Sequence, residues 1–286
     1  MQHQLQTPAG HQITLRVFSN QAIPQRVIVI APAMGVPQRY YQPVAKWLAE
    51  QGCAVITFDY FGMFESAPAT LKGLQLDIKA WAEQDGDAVL AFARHHYPEV
   101  AITWLAHSVG GQLFGLLPNH ANLDRMVTVT TGSGYWLENA PALKRKAWLL
   151  WFLVVPLSIP LFGYFPGKRL KMVGDLPASV MWQWRRWCLH PNYLVGSEGP
   201  LVAAKFERIT TPIVSLSVTD DELLSARNIE AMHKCYRRAP LKFVRIAPAD
   251  IGVSRIGHFG FFRPEFESSL WAQYLAPALQ LKLQPN

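Results

Sequence analysis

The chain has 286 residues, a length that fits one large domain carrying an insertion. Half of the residues are hydrophobic and only 16% are charged, which indicates a large core and some exposed apolar surface. The net charge of +7 would suit an anionic partner, but the basic residues are scattered and no nucleic-acid-binding motif is present, so we expect no nucleic acid partner.

Strands and helices are predicted to alternate along the first hundred residues. The alternating pattern of residues 12–18 predicts an antiparallel edge strand with one exposed face. The apolar, largely β-branched runs 27–30 and 54–59 predict strands that are buried on both faces. Amphipathic helices are predicted over residues 40–51 and 76–97.

The next predicted strand, residues 101–105, leads into the hexapeptide Ala106-His107-Ser108-Val109-Gly110-Gly111 and an apolar helix over 112–117. A small residue two positions before a serine and a glycine two positions after it let the backbone reverse without a side-chain collision. The serine is then held in strained geometry with its hydroxyl exposed. This is the nucleophile-elbow pattern G-x-S-x-G with alanine at its first position.

The rest of the chain continues the alternation after one long gap. Predicted elements are a strand over 124–130, a strand over 213–218, a helix over 225–238, a strand over 241–246 and a closing helix over 264–279. Repeated strand–helix units predict an α/β fold with a mostly parallel central sheet and helices on both faces.

The gap, residues 132–203, contains six of the ten tryptophans and a run of 19 residues without a charge, 147–165. That length approaches a transmembrane span, but Pro156 and Pro160 are expected to interrupt it. We therefore predict a helical cap or lid, with a membrane anchor as the alternative. The predicted domains are a core over 1–131 and 204–286 and a cap over 132–203.

Two candidate partners for Ser108 follow in the second half of the chain. A serine hydroxyl becomes nucleophilic when a histidine takes its proton, and an acid fixes the tautomer of that histidine. The acidic turn Thr219-Asp220-Asp221-Glu222 follows one predicted strand, and His258 lies close to two glycines after the next strand. Taken alone, the acids fit a helix cap and His258 fits a packed loop histidine. Three elements at strand ends, in the order Ser, Asp, His, favour a catalytic triad.

On these residues, and from about residue 12 to 279, the chain resembles the α/β-hydrolases, in particular the bacterial branch similar to serine aminopeptidases and monoglyceride lipases. The oxyanion loop of that family corresponds to residues 31–41, where Pro32-Ala33 replaces the usual His-Gly pair. Pro32 has no N–H, so the resemblance implies Met34, with Ala33 as the second choice, as one oxyanion donor. The N–H of Val109 is implied as the other donor.

The same resemblance bears on three further segments. The family segment Asp-x-Arg-Gly-x-Gly-x-Ser appears as residues 59–66 with two phenylalanines substituted, and it is assigned a structural role. The family pattern Gly-x-x-Asp-x-x-x-Pro favours Asp221 over Asp220 as the triad acid. Glu222 is expected to lie one step further into the helix and to be nearly silent when substituted. His107 is expected to pack behind the elbow.

The three cysteines, Cys53, Cys188 and Cys235, have no metal-ligand spacing and cannot all be paired, so we expect free thiols and no metal site. No cofactor is expected either. Residues 1–6 contain no apolar signal core, which predicts a cytoplasmic protein.

The sequence therefore predicts a serine hydrolase that cleaves an ester, thioester or amide with an apolar acyl or alkyl group, in the manner of a carboxylesterase or lipase. Its partner would be a small apolar ester-like molecule, held in part by Trp136, Trp148 and Trp151 of the cap. Two alternatives remain. One is an acyltransferase with the same triad, and the other is a non-catalytic relative that binds a hydrophobic ligand or a membrane surface.

Overall fold

The computed structural model describes residues 1–283, so the last three residues of the predicted core segment 204–286 lie outside the described part. In that part the strands, in chain order, are β1 Gln2–Gln6, β2 Gln12–Phe18, β3 Arg26–Ala31, β4 Cys53–Phe58, β5 Ile102–His107, β6 Arg125–Val129, β7 Tyr164–Phe165, β8 Leu176–Pro177, β9 Ile213–Val218 and β10 Leu241–Ile246. The α-helices are α1 Gln42–Glu50, α2 Asp87–His96, α3 Val109–Gln112, α4 Pro141–Leu149, α5 Val155–Phe162, α6 Ala178–Leu189, α7 Tyr193–Ser197, α8 Pro200–Arg208, α9 Ala226–His233 and α10 Ala276–Leu279. π-helical turns at Trp81–Gly86, Leu150–Val154 and Glu267–Leu275 lead into α2, α5 and α10.

Eight of these strands form one sheet in the order β1-β2-β4-β3-β5-β6-β9-β10, and β7 pairs with β8 in a separate hairpin. Within the eight-stranded sheet of the described residues, only the β1–β2 and β2–β4 pairings are antiparallel, which confirms the predicted mostly parallel sheet. The prediction that residues 12–18 form the edge was wrong, because β1 covers β2. The sequence of β1, Gln-His-Gln-Leu-Gln, is too polar to register as a strand by its apolar pattern.

The sheet lies between two apolar layers. Successive side chains along each strand point alternately into one layer and the other. In β3, Val27 and Val29 belong to one core cluster, whereas Ile28 and Ile30 belong to the other. Helix α1 and the closing helix pack on the second of these faces, and α2, α9 and the cap pack on the first. Burying each such side chain contributes about 1.5–3 kcal/mol, which favours the apolar residues on both faces of β3.

The helix predicted over 76–97 begins later than expected. The helical run starts at Lys79, whose N–H donates to the Asp77 carboxylate in the manner of a helix N-cap. The preceding backbone is held by the cap instead, because the N–H of Leu76 donates to the Ser179 hydroxyl and that of Ile78 donates to the Gln183 side chain. Residues of the predicted cap therefore hold the backbone of residues 76–78.

The prediction that Pro156 and Pro160 interrupt the apolar run was also wrong. Residues Pro141–Phe162 form one continuous helix of 22 residues in which the π-turn Leu150–Val154 directly precedes Pro156. A π-turn shifts the hydrogen-bonding partners by one residue and so makes room for a proline ring and its missing N–H. We call this element the long cap helix.

The predicted boundary between residues 203 and 204 divides α8. Phe206 of this helix is fully buried, and its ring lies so close to Gly115 that a Cβ there would meet it at 2.6 Å. Helix α8 therefore packs on the core, and the end of the predicted cap stays a prediction.

The segment 59–66 connects two loops at the carboxyl edge of the sheet. Asp59, which is 1% exposed, accepts hydrogen bonds from the N–H groups of Gln38 and Glu65. Burial raises the pKa of the Asp59 carboxyl to about 6 despite these bonds. Asp59 thereby links the turn at Gln38, which follows β3, to the loop at Glu65, which follows β4.

Candidate active site

Ser108 stands at the junction between β5 and α3, near the middle of the sheet. Its backbone has φ 50° and ψ −111°, a conformation that L-residues rarely adopt, and its side chain is partly exposed. A Cβ on Gly110 would lie 2.4 Å from the carbonyl oxygen of Ala31, and one on Gly111 would lie 2.6 Å from the Thr131 hydroxyl. Only glycine fits at these two positions, so the first turn of α3 can press against the neighbouring strands.

Asp221 and His258 are brought into direct contact by the loops that follow β9 and β10. Asp221 Oδ2 lies 2.8 Å from His258 Nδ1, and both side chains are 2% exposed. The other oxygen of Asp221, Oδ1, accepts from the N–H groups of Leu223 and Leu224 at 2.8 and 2.9 Å, which fixes the carboxylate. A carboxylate only accepts hydrogen bonds, so His258 carries its proton on Nδ1 and presents the lone pair of Nε2.

The two acids beside Asp221 hold the backbone of the histidine loop. Asp220 Oδ2 accepts from the N–H groups of Ile256 and Gly257 at 2.7 and 3.1 Å, and Glu222 Oε2 accepts from the N–H of His258 at 3.0 Å. Glu222 was expected to lie one step into a helix and to be silent. It lies in the turn before the helix instead, because α9 begins four residues later at Ala226, with Ser225 as its cap. That a substitution of Glu222 is nearly silent stays a prediction.

His258 lies next to the elbow. Its carbonyl oxygen accepts hydrogen bonds from His107 Nε2 at 3.2 Å and from the Thr130 hydroxyl at 3.3 Å, and Thr130 has the left-handed φ of 45°. Within residues 1–283 the Ser108 hydroxyl makes no hydrogen bond, neither to His258 Nε2 nor to another group. Hydrogen bonds of this kind commonly tighten only when substrate is bound.

The loop after β3 approaches the elbow because Ala31 pairs with Ala106 across the β3–β5 register. The N–H of Ala33 donates to the Tyr41 hydroxyl at 2.9 Å, whereas that of Met34 has no acceptor within the described chain. Val109 is the first residue of α3, so its N–H has no acceptor one turn earlier. Two amide donors at this edge of the sheet are therefore unpaired.

A buried hydrogen-bond chain joins this loop to His258. The Tyr41 hydroxyl, which accepts from the N–H of Ala33, donates to His107 Nδ1 at 2.8 Å, and His107 Nε2 donates to the carbonyl of His258. Burial, together with the charge of His258 when protonated, holds the pKa of His107 well below its ordinary value, so His107 is neutral. Sequence reasoning assigned His107 to packing and missed this chain, although the tyrosine at the head of helix α1 was visible.

Because His107 both accepts and donates, replacing it by phenylalanine is expected to lower kcat by roughly tenfold and to destabilise the fold by about 1–3 kcal/mol through the two lost bonds. His107→Gln keeps an acceptor and a donor in the same side chain and should restore most of the activity. Steady-state kinetics and urea unfolding of both variants provide the measurement.

The pH dependence gives the control for this prediction. An unfolded histidine takes up its proton near pH 6.5, whereas burial keeps folded His107 neutral there, so the wild type loses stability as the pH falls below about 6.5. The His107→Gln variant should lose less stability than the wild type over that range. Equal losses in both proteins, or equal activity of the Phe and Gln variants, would contradict the assignment.

The three cap tryptophans predicted to contact substrate lie in different environments. Trp151 is 4% exposed and meets Trp184 edge-on, Trp136 packs against Phe152, and Trp148 is 55% exposed. Over residues 1–283 none of the three makes a hydrogen bond or ring contact with Ser108, Asp221 or His258. Their contact with substrate stays a prediction.

A cavity of about 590 Å³ lies between α7, α8 and α9, and none of the candidate catalytic residues lines it. Among the described residues no group of three or more His, Cys, Asp or Glu side chains is placed to hold a metal ion. Cys53, Cys188 and Cys235 are free thiols, and the first two are buried.

The model of the family described as serine aminopeptidase, S33, matches residues 22–173, just over half of the chain. No curated protein matches the chain significantly. Three solved structures have a similar fold. The esterase Pf2001 of Pyrococcus furiosus has a TM-score of 0.62 and 12% identity, covering 98% of this chain and 90% of that one.

The other two are similar over nearly their whole length. XC6422 of Xanthomonas campestris, described as a serine hydrolase without lid, has a TM-score of 0.53 and 12% identity over 100% of this chain and 96% of that one. A cold-adapted esterase from an Arctic intertidal metagenomic library has a TM-score of 0.54 and 14% identity over 98% and 93% of the two chains. At these identities the likeness establishes the α/β-hydrolase fold.

Proposed function

We propose that this chain, which belongs to the serine aminopeptidase S33 family of α/β-hydrolases, is an esterase that cleaves small esters with an apolar acyl or alkyl group through an acyl-enzyme. The observation that carries this proposal is the buried pair of Asp221 and His258, joined at 2.8 Å beside the strained elbow of Ser108. These three side chains come from the carboxyl ends of three parallel strands.

In the first step, Ser108 Oγ attacks the carbonyl carbon of the ester while His258 Nε2 takes the hydroxyl proton. Asp221 holds the imidazole by its Nδ1–H and stabilises the imidazolium that forms. The proton then passes to the leaving alkoxide as the C–O bond breaks, which leaves an acyl group on Ser108. In the second step a water molecule gives its proton to His258 and attacks the acyl-enzyme, so that the acid is released and Ser108 is restored.

The oxyanion of each tetrahedral intermediate needs amide donors that are not already engaged. We propose the N–H groups of Met34 and Val109 for this role. One contact supports Met34 over Ala33, because the N–H of Ala33 already donates to the Tyr41 hydroxyl. Pro32 has no N–H to offer. The hydrogen bond from Gly174 N to Gly35 O also connects this loop to the cap, at 3.2 Å.

We further propose that the cap, with Trp136, Trp148 and Trp151, favours apolar over polar acyl groups, and that the protein acts in the cytoplasm, where its three thiols would stay reduced. The solved relatives named as esterases support an ester rather than an amide as substrate, but an ester and a thioester meet the same reacting groups.

A panel of p-nitrophenyl esters of increasing chain length tests the proposal, together with labelling by a fluorophosphonate probe. We expect labelling, and a rise in kcat/KM of up to about fourfold per added methylene from acetyl to medium chains, because each buried methylene is worth about 0.8 kcal/mol. No labelling and no turnover of any ester would contradict the proposal and favour the non-catalytic alternative. Labelling with turnover only in the presence of an acyl acceptor would make the enzyme an acyltransferase.

A further inference from the structure

The long cap helix carries two apolar faces on opposite sides. Ala147, Trp151, Val155 and Ile159 are buried and attach the helix to the rest of the cap. The opposite side, which we call the outer face, consists of large apolar side chains at helical spacing that are 39% to 77% exposed: Leu149, Phe152, Leu153, Leu157 and Leu161. A row of five such residues exceeds the scattered apolar exposure of an ordinary soluble surface and indicates a binding partner.

The charges around the outer face have a single sign. Residues 139–174 contain six Lys and Arg residues and no Asp or Glu. The six are Lys144, Arg145, Lys146, Lys168, Arg169 and Lys171, and all are exposed. Within residues 1–283 the only carboxylate paired with any of them is Asp175, at 3.8 Å from Lys168. Three of the cations thus lie near the start of the helix, and the other three lie between residues 168 and 171, after its end.

Aromatic side chains lie between the basic and aliphatic parts of this surface. Trp148 follows the first basic cluster and is 55% exposed, and Trp182 on α6 is 38% exposed. The guanidinium of Arg185 lies over the rings of both Phe152 and Trp182, at 5.4 and 5.8 Å from their centroids. Exposed indoles at the border of an apolar stripe suit the boundary between lipid headgroups and acyl chains.

We propose that the outer face of the long cap helix binds the surface of a membrane that contains anionic lipids. The helix lies in the plane of the interface, the leucines and Phe152 enter the acyl boundary, and the flanking cations contact the headgroup phosphates. This inference concerns where the protein binds, and it does not depend on the proposed esterase activity.

Among residues 1–283 this helix is long and apolar enough to cross a membrane, with a mean hydropathy of 1.4 over its most apolar window. A spanning orientation would expose Trp151, Val155 and Ile159 and remove the helix from the core of the cap, so the in-plane orientation fits the packing. A second copy of this chain fits poorly as the partner, because two outer faces would bring two sets of these six cations together.

The test is sedimentation of the full-length protein with vesicles of phosphatidylcholine alone and of phosphatidylcholine mixed with phosphatidylglycerol, each at low and high salt. We expect binding to the mixed vesicles that weakens in high salt. The double variant Leu157→Glu with Leu161→Glu should bind about tenfold or more weakly. Its matched control, Leu201→Glu, changes a leucine that is 83% exposed on α8 and should bind like the wild type.

A second variant replaces Lys144, Arg145 and Lys146 by glutamine. Each cation near an anionic surface is worth about fivefold in binding, so the three together should cost on the order of 100-fold on mixed vesicles and little on phosphatidylcholine alone. Circular dichroism and urea unfolding of every variant, measured without vesicles, report whether it is folded.

Four outcomes would overturn the proposal. Wild-type protein that stays in the supernatant with mixed vesicles at low salt would do so, as would equal binding by the Leu157/Leu161 and Leu201 variants. Retention in membranes after alkaline carbonate extraction would replace the proposal with a spanning helix. A dimer in ultracentrifugation that the Leu157/Leu161 substitution dissociates would replace it with self-association.

Discussion

Substituting Ser108 by alanine is expected to lower ester hydrolysis by roughly 10⁴-fold or more, since removing the nucleophile of a triad removes nearly all of the catalysis above that of the oxyanion donors. The variant should stay folded. Its side chain makes no hydrogen bond within residues 1–283, and alanine meets the same backbone strain as serine at φ 50°. Initial rates on a p-nitrophenyl ester and labelling by a fluorophosphonate probe provide the measurement.

Ser254 offers a matched control for Ser108. It lies exposed in the loop that carries His258, so Ser254→Ala should keep wild-type rates and full labelling. If Ser108→Ala retained both turnover and labelling while its circular dichroism matched that of the wild type, another residue would have to be the nucleophile.

The central strands could be predicted because their apolar sequences are compatible with only one environment, a strand buried on both faces. The β3 run is apolar on both faces from Val27 to Ala31, and only a strand covered on both sides buries it. The edge of the sheet offered no such constraint. Strand β1 exposes Gln2, Gln4 and Gln6 and is held mainly by its backbone pairing to β2, which no side-chain pattern reports.

The long cap helix was mispredicted for a different reason. Proline rules describe a regular helix, and the π-turn at Leu150–Val154 changes the hydrogen bonding just where Pro156 needs it. The exposure of its outer face was equally hidden. A helix that is apolar all round is expected to be buried on every face. The sequence pattern does not show that the outer face is left uncovered by the rest of residues 1–283.

The sequence predicted the candidate site from the order of Ser, Asp and His along the chain. The structure adds which group each of the three acids contacts. Strand ends place an acidic turn and a histidine loop at one edge of the sheet, which the sequence indicates. Which acid reaches the imidazole depends on the path of the loop after β9. There Asp220, Asp221 and Glu222 bind respectively the loop backbone, the ring and the N–H of His258.

That division leads to the second large effect, a ranking of the three acids. Asp221→Asn should lower kcat/KM by roughly 10²–10⁴-fold, because an amide cannot favour the Nδ1–H tautomer or stabilise the imidazolium as a carboxylate does. Asp220→Asn keeps an oxygen for the N–H groups of Ile256 and Gly257 and should cost on the order of tenfold or less. Glu222→Gln keeps the acceptor for the N–H of His258 and should cost the least.

The measurement is kcat/KM for the three variants on one short ester, with urea unfolding to correct for lost stability. Asp220→Ala is the informative extra variant, because it removes the acceptor of two loop N–H groups while leaving the 2.8 Å pair of Asp221 and His258 chemically intact. Asp220→Ala should therefore be less stable than Asp220→Asn. It should nevertheless be more active than Asp221→Asn. Equal losses for Asp220→Asn and Asp221→Asn, or the reverse ranking, would assign the orienting acid to Asp220.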